Sequence, residues 1–361
     1  MTRRSLAGVL LCLAGVCLGC QRGAEIQYVS SKEVLDLDEP LQSRVRELLV
    51  KHCGTPAQPK LLGDDSADVV RLRRGEAIFQ QRCAACHGAT GDGNGEAAQY
   101  LYPEPRDYRR GIFKFSSTPY GAKPRREDLL RTIRQGAKGT SMPSFGQLPS
   151  DDLEAVLDYV LVLTHRGELE LQLAIEAANE DEVADEAVDD AIEFILDQWK
   201  LAKEQQVWPL TKSPLYGNES VELGKKAFLT EEAGCFKCHG ADGRARTTDN
   251  AQGFNDAWGH KTRAADLTAG MFHGGNRPED IYRRIFSGIN GTPMPSFKDK
   301  LSKEPDTFWH LVHYVQHISS ARRQEVMAEQ ARRRPQPLFP KSKAPEAESS
   351  EAEPSEAAAA E

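Results

Sequence analysis

Residues 83–87 read Cys83-Ala84-Ala85-Cys86-His87, and residues 235–239 read Cys235-Phe236-Lys237-Cys238-His239. Both pentapeptides follow the pattern C-x-x-C-H, and the second begins 152 residues after the first. A pattern that returns at a fixed displacement is a sign of an internal repeat, and the flanking residues test that interpretation.

The same displacement is found downstream of each pentapeptide. Residues 139–145 (GTSMPSF) align with residues 291–297 (GTPMPSF), and Met142 and Met294 both lie 55 residues after their histidine. The other aligned stretches are residues 126–131 (REDLLR) and 278–283 (PEDIYR). The chain therefore contains one unit that has been duplicated.

Each half predicts a short helix before the pentapeptide and an amphipathic helix after the methionine. In the helix before each pentapeptide, a glycine lies four residues before a phenylalanine. These are Gly75 and Phe79 in the first half and Gly224 and Phe228 in the second. A glycine there allows the last helix to approach closely. The last helix has apolar residues at helical spacing on one face: Leu153, Val156, Leu157, Val160 and Leu161 in the first half, and Phe308, Leu311, Val312 and Val315 in the second.

C-x-x-C-H is the attachment motif for c-type haem. The two thiols add across the haem vinyl groups, and the adjoining histidine is thereby placed under the iron. Two copies predict two covalently bound haem c groups, with His87 and His239 as iron ligands. The cysteines predicted to hold them are Cys83, Cys86, Cys235 and Cys238.

Each half resembles a class I cytochrome c domain, over residues 71–165 and 219–320. The resemblance implies a mainly α fold, and it implies that Met142 and Met294 are the second axial ligands of the iron. The second half also contains Met271 as a rival ligand, and His273 is another rival; the repeat register favours Met294.

The family also supplies a proline carbonyl that hydrogen-bonds the iron-binding histidine. In the first half Pro103 or Pro105 is the expected residue, whereas the matching stretch of the second half, residues 262–266, has no proline. The whole chain is similar to bacterial di-haem cytochromes c associated with respiratory chains.

The first 20 residues have the layout of an export signal. Arg3 and Arg4 precede an uncharged run, residues 5–19, that is shorter than the roughly 20 residues of a membrane-spanning helix. The sequence before Cys20 resembles a bacterial lipobox, which implies that Cys20 becomes the lipidated N-terminus. Simple cleavage of a signal peptide and an uncleaved anchor are the alternatives. We expect an exported, periplasmic protein that is anchored to a membrane by this lipid.

The remaining segments lack recognisable chemistry. We expect a helical extension over residues 21–70, an acidic helical linker over residues 166–218, and a helix end with a disordered tail over residues 321–361. A solvated spacer is the simple interpretation of the linker, and a docking surface is the other. Cys53 stands apart from the motifs, and a lone cysteine is typically a small buried apolar residue.

Other metal sites explain the pattern less well. A zinc site would need cysteine pairs much closer together than 83–86 and 235–238, and a thioredoxin-like motif would need a βαβ context. Three histidines at helical spacing could bind a further metal, although packing or solvent-facing roles are more typical of histidine: His310, His313 and His317.

An iron that holds both histidine and methionine has no open position, so the ligands predict one-electron transfer rather than catalysis. We expect a non-enzymatic relay between redox proteins, such as a terminal oxidase or a quinol-oxidising complex, with no nucleic-acid partner. A di-haem enzyme resembling bacterial cytochrome c peroxidases is the alternative. A third possibility is a redox subunit that is permanently docked in a larger complex.

Overall fold

The computed structural model describes residues 26–333 and is mainly helical, which confirms the predicted fold class. The predicted signal segment with Cys20 and the predicted C-terminal tail beyond Arg333 lie outside the described residues. The helices are α1 (Lys32–Leu35), α2 (Glu39–Cys53), α3 (Val69–Arg82), α4 (Ala84–His87), α5 (Arg126–Gln135), α6 (Ser150–Glu180), α7 (Asp185–Glu204), α8 (Asn218–Phe228), α9 (Cys235–His239), α10 (Thr248–Gln252), α11 (Pro278–Ser287), α12 (Lys298–Leu301) and α13 (Asp306–Arg333).

Short elements complete the described part of the chain. Two single 3-10 turns span Ala98–Tyr100 and Leu267–Ala269. The strands form two antiparallel hairpins, in which β1 (Gly54–Thr55) pairs with β2 (Gln58–Pro59) and β3 (Phe254–Asn255) pairs with β4 (Lys261–Thr262).

The first half is built on the crossing of α3 and α6. α3 begins where the Asp68 carboxylate accepts hydrogen bonds from the first turn of the helix. Gly75 faces α6, and Phe79 packs on Tyr159 with ring centroids 5.5 Å apart. The predicted close approach at Gly75 is therefore confirmed, and the apolar face of α6 forms the core with α3.

The second half repeats this crossing with α8 and α13. Gly224 faces the backbone of α13, and Phe228 packs on Tyr314 with centroids 5.3 Å apart. The buried face of α13 includes Phe308 and Val312, as the sequence spacing predicts. The duplication in sequence is thus a duplication in packing.

The segments outside the repeats form a helical cluster of their own. α6 continues to Glu180, past the predicted domain boundary at residue 165, and its second part packs with α2 and α7. Leu49 on α2 is fully buried in this cluster with Leu173 on α6 and Ile195 on α7. Residues 166–218 are therefore not a solvated spacer, because α7 buries its apolar face against the N-terminal extension.

Cys53 is a member of the same cluster. Its side chain is fully buried at the end of α2, and burial raises the pKa of its thiol to about 12. The interpretation as a small buried apolar residue is confirmed.

The two halves pack against each other around α5 and α11. Arg131 on α5 pairs with Asp280 on α11, with Nη1 and Oδ1 3.0 Å apart. Beside this pair the Asn290 side chain accepts a hydrogen bond from the amide of Gly121 at 2.8 Å and donates one to the carbonyl of Ala122 at 3.3 Å. These polar contacts fix the orientation of the two repeats.

None of the helices described between residues 26 and 333 combines the length and the apolar character that a bilayer span needs.

Candidate haem sites

The two C-x-x-C-H motifs fold into single helical turns at the same place in each half. In the first half the amide of His87 donates to the carbonyl of Cys83 at 2.9 Å, and Gly88, with φ of 75°, ends the turn. In the second half the turn ends at Gly240, with φ of 72°. The left-handed region favours glycine, which explains the glycine after each histidine.

Each histidine is oriented by a backbone carbonyl. Nδ1 of His87 lies 3.1 Å from the carbonyl oxygen of Arg106, and Nδ1 of His239 lies 3.0 Å from that of Ala265. A carbonyl can only accept, so Nδ1 carries the proton and Nε2 keeps its lone pair for a metal.

The prediction of a proline carbonyl is wrong. Arg106, immediately after Pro105, supplies it in the first half, and Ala265 does so without any proline in the second. The aspartate that follows each of them accepts a hydrogen bond from the amide two residues further on, at 2.9 Å in both halves. An aspartate after the orienting residue is thus a sequence feature that the two positions share, as Asp107 and Asp266.

Both imidazoles are held neutral. Burial lowers the pKa of His87 to about 4 and also lowers the pKa of His239. The ring of His87 stacks on Tyr108 with centroids 4.7 Å apart. A neutral, oriented imidazole is the form that binds iron.

Burial favours the thiol form of the first cysteine of each motif. Burial raises the pKa of Cys83 to about 12 and that of Cys235 to about 11. Within residues 26–333 no group of three or more histidine, cysteine or acidic side chains is placed to hold a metal ion. The zinc alternative therefore has no support in the described part of the chain.

The Met142 loop is closed by three hydrogen bonds. The amide of Ala137 donates to the carbonyl of Met142 at 3.2 Å, and the amide of Met142 donates to Oγ1 of Thr140 at 3.1 Å. Oγ1 of Thr140 donates to the carbonyl of Ala137 at 2.7 Å. The loop therefore holds the methionine in one position relative to the end of α5.

The Met294 loop repeats these bonds residue for residue. The amide of Ile289 donates to the carbonyl of Met294 at 3.1 Å, and the amide of Met294 donates to Oγ1 of Thr292 at 3.3 Å. Oγ1 of Thr292 donates to the carbonyl of Ile289 at 2.8 Å. In each half the serine two residues after the methionine then donates to the last turn of the preceding helix at 2.7 Å. The shared Met-Pro-Ser-Phe sequence thus encodes one loop structure.

The rivals of Met294 lie outside this loop. Nδ1 of His273 is hydrogen-bonded to the carbonyl of Lys138 in the first half, and Met271 is 57% exposed. Met294 packs against the apolar cluster of the second half together with Cys235. The structure brings Cys235 and Met294 to one cluster, while the iron contacts of both methionines stay a prediction.

Two of the three extra histidines of α13 are hydrogen-bonded to α8. Oγ of Ser220 lies 2.7 Å from Nδ1 of both His310 and His313, and His313 is buried. His317 is exposed. They assemble no metal site among the described residues.

The residues of each half fit a haem c group. All eight predicted side chains are partly buried, so each keeps some exposed surface that a haem could cover. Cys83 and Cys86 would hold the haem in the first half, with His87 and Met142 as axial ligands. The corresponding residues of the second half are Cys235, Cys238, His239 and Met294. When bound, the haem supplies one-electron Fe(III)/Fe(II) chemistry.

Comparisons with known proteins agree with this description. Residues 70–160 match the family model described as cytochrome c oxidase, cbb3-type, subunit III, and this range includes Cys83, His87 and Met142. The chain therefore contains a c-type cytochrome domain, which supports covalent haem c and electron transfer.

A solved structure gives a second comparison. The chain is similar to a chain in a reducing HAO-like protein complex of Kuenenia stuttgartiensis, with 29% identity and a TM-score of 0.54. The match covers 68% of this chain and 95% of that one. No curated protein matches the chain.

Proposed function

We propose that this chain is a di-haem c-type cytochrome that relays single electrons between redox proteins and is not itself an enzyme. One observation carries the proposal: the second half reproduces the histidine-to-carbonyl bond and the closed methionine loop of the first half. The two halves differ elsewhere in sequence and in loop length, yet both have these bonds, which supports one role for both sites.

The chain's own residues prepare each site for electron transfer. The carbonyls of Arg106 and Ala265 keep the imidazoles in one orientation, and the threonine-closed loops keep Met142 and Met294 in place. With haem bound, Met142 and Met294 would each supply a thioether ligand, which favours the reduced iron, and together with the histidine would leave no position for an exogenous ligand. Rigid ligands of this kind reduce the rearrangement that accompanies a change of oxidation state.

We also propose a cellular location and a class of partner for this relay. The sequence of residues 1–20 supports export to the periplasm and lipidation of Cys20, which would keep the domains at a membrane face. The similarity to a chain from a protein complex supports redox protein partners, such as a terminal oxidase or a quinol-oxidising complex. Permanent docking in such a complex is compatible with the relay.

A haem count tests the proposal. The purified protein should contain two covalently bound haems per chain by pyridine haemochrome, and both should stay on the chain in a denaturing gel. Replacing Cys235 and Cys238 with alanine should leave one haem, whereas Cys53→Ala should leave two, because Cys53 lies in a separate apolar cluster. A wild-type protein with one haem or none would refute the proposal.

Ligand binding separates the relay from a peroxidase. The reduced wild-type protein should not bind CO, and added peroxide should not be turned over in the presence of an electron donor. Stoichiometric CO binding at one haem would show an open iron and would favour the enzyme.

A further inference from the structure

The second half carries an insertion between its histidine and the carbonyl that orients it. The carbonyl lies 19 residues after the histidine in the first half and 26 residues after it in the second. The longer segment contains the β3–β4 hairpin, whose turn carries Asp256 and Trp258. This hairpin reaches across to the first half.

The hairpin contacts the residue that orients His87. The guanidinium of Arg106 lies over the ring of Trp258, 4.0 Å from its centroid, and Nη1 of Arg106 is 3.5 Å from Oδ2 of Asp256. The same carboxylate oxygen is 3.5 Å from Nζ of Lys114, and the Asp256 side chain is only 3% exposed. Asp256 is therefore a buried anion between two cations of the other half.

The hairpin is itself well fixed. Oδ1 of Asp256 accepts hydrogen bonds from the amides of Trp258 and His260, each at 3.0 Å. The amide of Ala257 donates to the carbonyl of Gly291 at 2.9 Å, and the Trp258 ring covers Gly291 so closely that a Cβ there would overlap it. These contacts thus hold the Asp256 carboxylate in a fixed position beside Arg106.

The arrangement is one-sided. Ala265, which holds the corresponding carbonyl in the second half, has no charged side chain through which the first half could act on it. Within residues 26–333, side chains of the opposite half contact the orienting residue at the first site and not at the second.

We propose that Asp256 and Trp258 are positioning residues for the first haem site, through which the second half sets the reduction potential of the first haem. The proposal rests on the proposed di-haem function. They hold Arg106 so that its carbonyl accepts a hydrogen bond from Nδ1–H of His87, and Asp256 offsets the Arg106 charge beside the site. A hydrogen bond of this kind raises the basicity of the imidazole and favours Fe(III). A buried anion near the iron has the same effect, so both lower the potential.

Asp256→Asn is the first test. The amide keeps Oδ1 as an acceptor for the hairpin and removes only the charge that faces Arg106 and Lys114. In a spectroelectrochemical titration the midpoint potential of the first haem should rise while that of the second stays unchanged. The Met142→Ala protein assigns the two potentials, because only the first haem loses a ligand in it.

Trp258 provides an independent test. Trp258→Ala removes the surface on which Arg106 rests and should shift the same potential in the same direction. Trp258→Phe keeps an aromatic face under Arg106 and should restore the wild-type value, since Nε1 of Trp258 is buried without a hydrogen-bond partner in the described structure. If the Asp256→Asn protein does not accumulate, the comparison of Trp258→Ala with Trp258→Phe tests the proposal in its place.

Glu104→Gln is the matched control. It also removes one negative charge that meets the hairpin, where Glu104 lies 3.0 Å from Nδ1 of His260, but the carboxylate is 46% exposed. Asp256 acts on the Arg106 charge more strongly than Glu104 does. The midpoint potential of the first haem should therefore shift much less in Glu104→Gln than in Asp256→Asn. The inference would be overturned if the midpoint potential of the first haem shifted equally in Glu104→Gln and Asp256→Asn. It would also be overturned if that potential kept its wild-type value in Asp256→Asn.

The haem count keeps this result separate from the proposed function. Fewer than two haems in the wild type would count against the di-haem relay. Two haems with an unchanged first potential in the Asp256 and Trp258 variants would count against the positioning role alone.

Discussion

Gly75 on α3 lies against the backbone of Ala155 on α6, so closely that a Cβ on Gly75 would overlap the Ala155 carbonyl oxygen and come within 3.0 Å of Cβ of Tyr159. Gly224 has the same relationship to His310 in the second half. Backbone atoms cannot move aside as a flexible side chain can, so even a methyl group must push the two helices apart.

Gly75→Ala and Gly224→Ala should therefore each destabilise their own half, by about 1–3 kcal/mol as for other overpacked cores. Thermal unfolding followed by absorbance of the haems and by circular dichroism would measure the loss. Gly217→Ala is the control, because no atom lies within 4 Å of a Cβ there, and it should cost no more than about 1 kcal/mol at the start of α8. Wild-type stability in both crossing variants would contradict the close packing.

The sequence predicted the features that depend on local pattern. Helical spacing located α6 and α13, and the repeated Gly75 and Gly224 predicted the two helix crossings, because periodicity and a missing side chain can be read from neighbouring residues. The paired C-x-x-C-H motifs likewise predict the candidate haem residues, since the cysteines and the histidine are neighbours in the chain.

The features it missed depend on contacts between distant residues. The acidic surface of α7 suggested a solvated spacer, and only the fold shows that Ile195 lies against α2. A carbonyl such as that of Arg106 belongs to the backbone, so its residue type carries no mark of its role. The contact between the Arg106 guanidinium and the Trp258 ring joins residues 152 positions apart, and local periodicity cannot predict such a contact.

Met142→Ala and Met294→Ala should each leave both haems attached, because the cysteines and the histidine of the site remain. The altered haem should lose the sulfur-to-iron charge-transfer band of the oxidised spectrum, fall in potential and begin to bind CO, since an axial position is opened. Optical spectra and a redox titration measure these changes.

Met271→Ala is the control for the second site. Met271 is 57% exposed and lies outside the loop that Thr292 closes, so its replacement should leave the spectrum of the wild type. A lost charge-transfer band in Met271→Ala, with an unchanged spectrum in Met294→Ala, would move the ligand assignment to Met271.

Lipidation of Cys20 gives a prediction for the intact cell. The mature N-terminus should be a diacylated cysteine, and the protein should sediment with membranes, because two acyl chains suffice for stable anchoring. Mass spectrometry of the N-terminal peptide makes the measurement. Cys20→Ser should release the haem protein into the soluble periplasmic fraction, and a free amine on a residue after Cys20 in the wild type would show simple cleavage instead.

His165 on α6 should make the folded protein sensitive to acid. The ring is 6% exposed, both of its nitrogens lack a hydrogen-bond partner in the described structure, and it packs edge-on against Trp199 with centroids 5.0 Å apart. Burial, with the charge of Lys123 as a smaller cause, lowers its pKa to about 4. Its value in the unfolded chain is about 6.5.

Between these two values the unfolded chain binds a proton at His165 and the folded chain does not, so stability is fully present above pH 6.5 and falls as the pH drops toward 4. The loss attributable to this ring approaches about 3 kcal/mol at pH 4. His165→Phe keeps an aromatic ring against Trp199 and removes the titration, so its free energy of unfolding should decline less steeply over this range. Denaturant unfolding of the holoprotein at several pH values measures both curves, with the exposed His317→Phe as the control for the change of residue type. Parallel curves for the wild type and His165→Phe would show that His165 is already protonated, or is hydrated, in the folded protein.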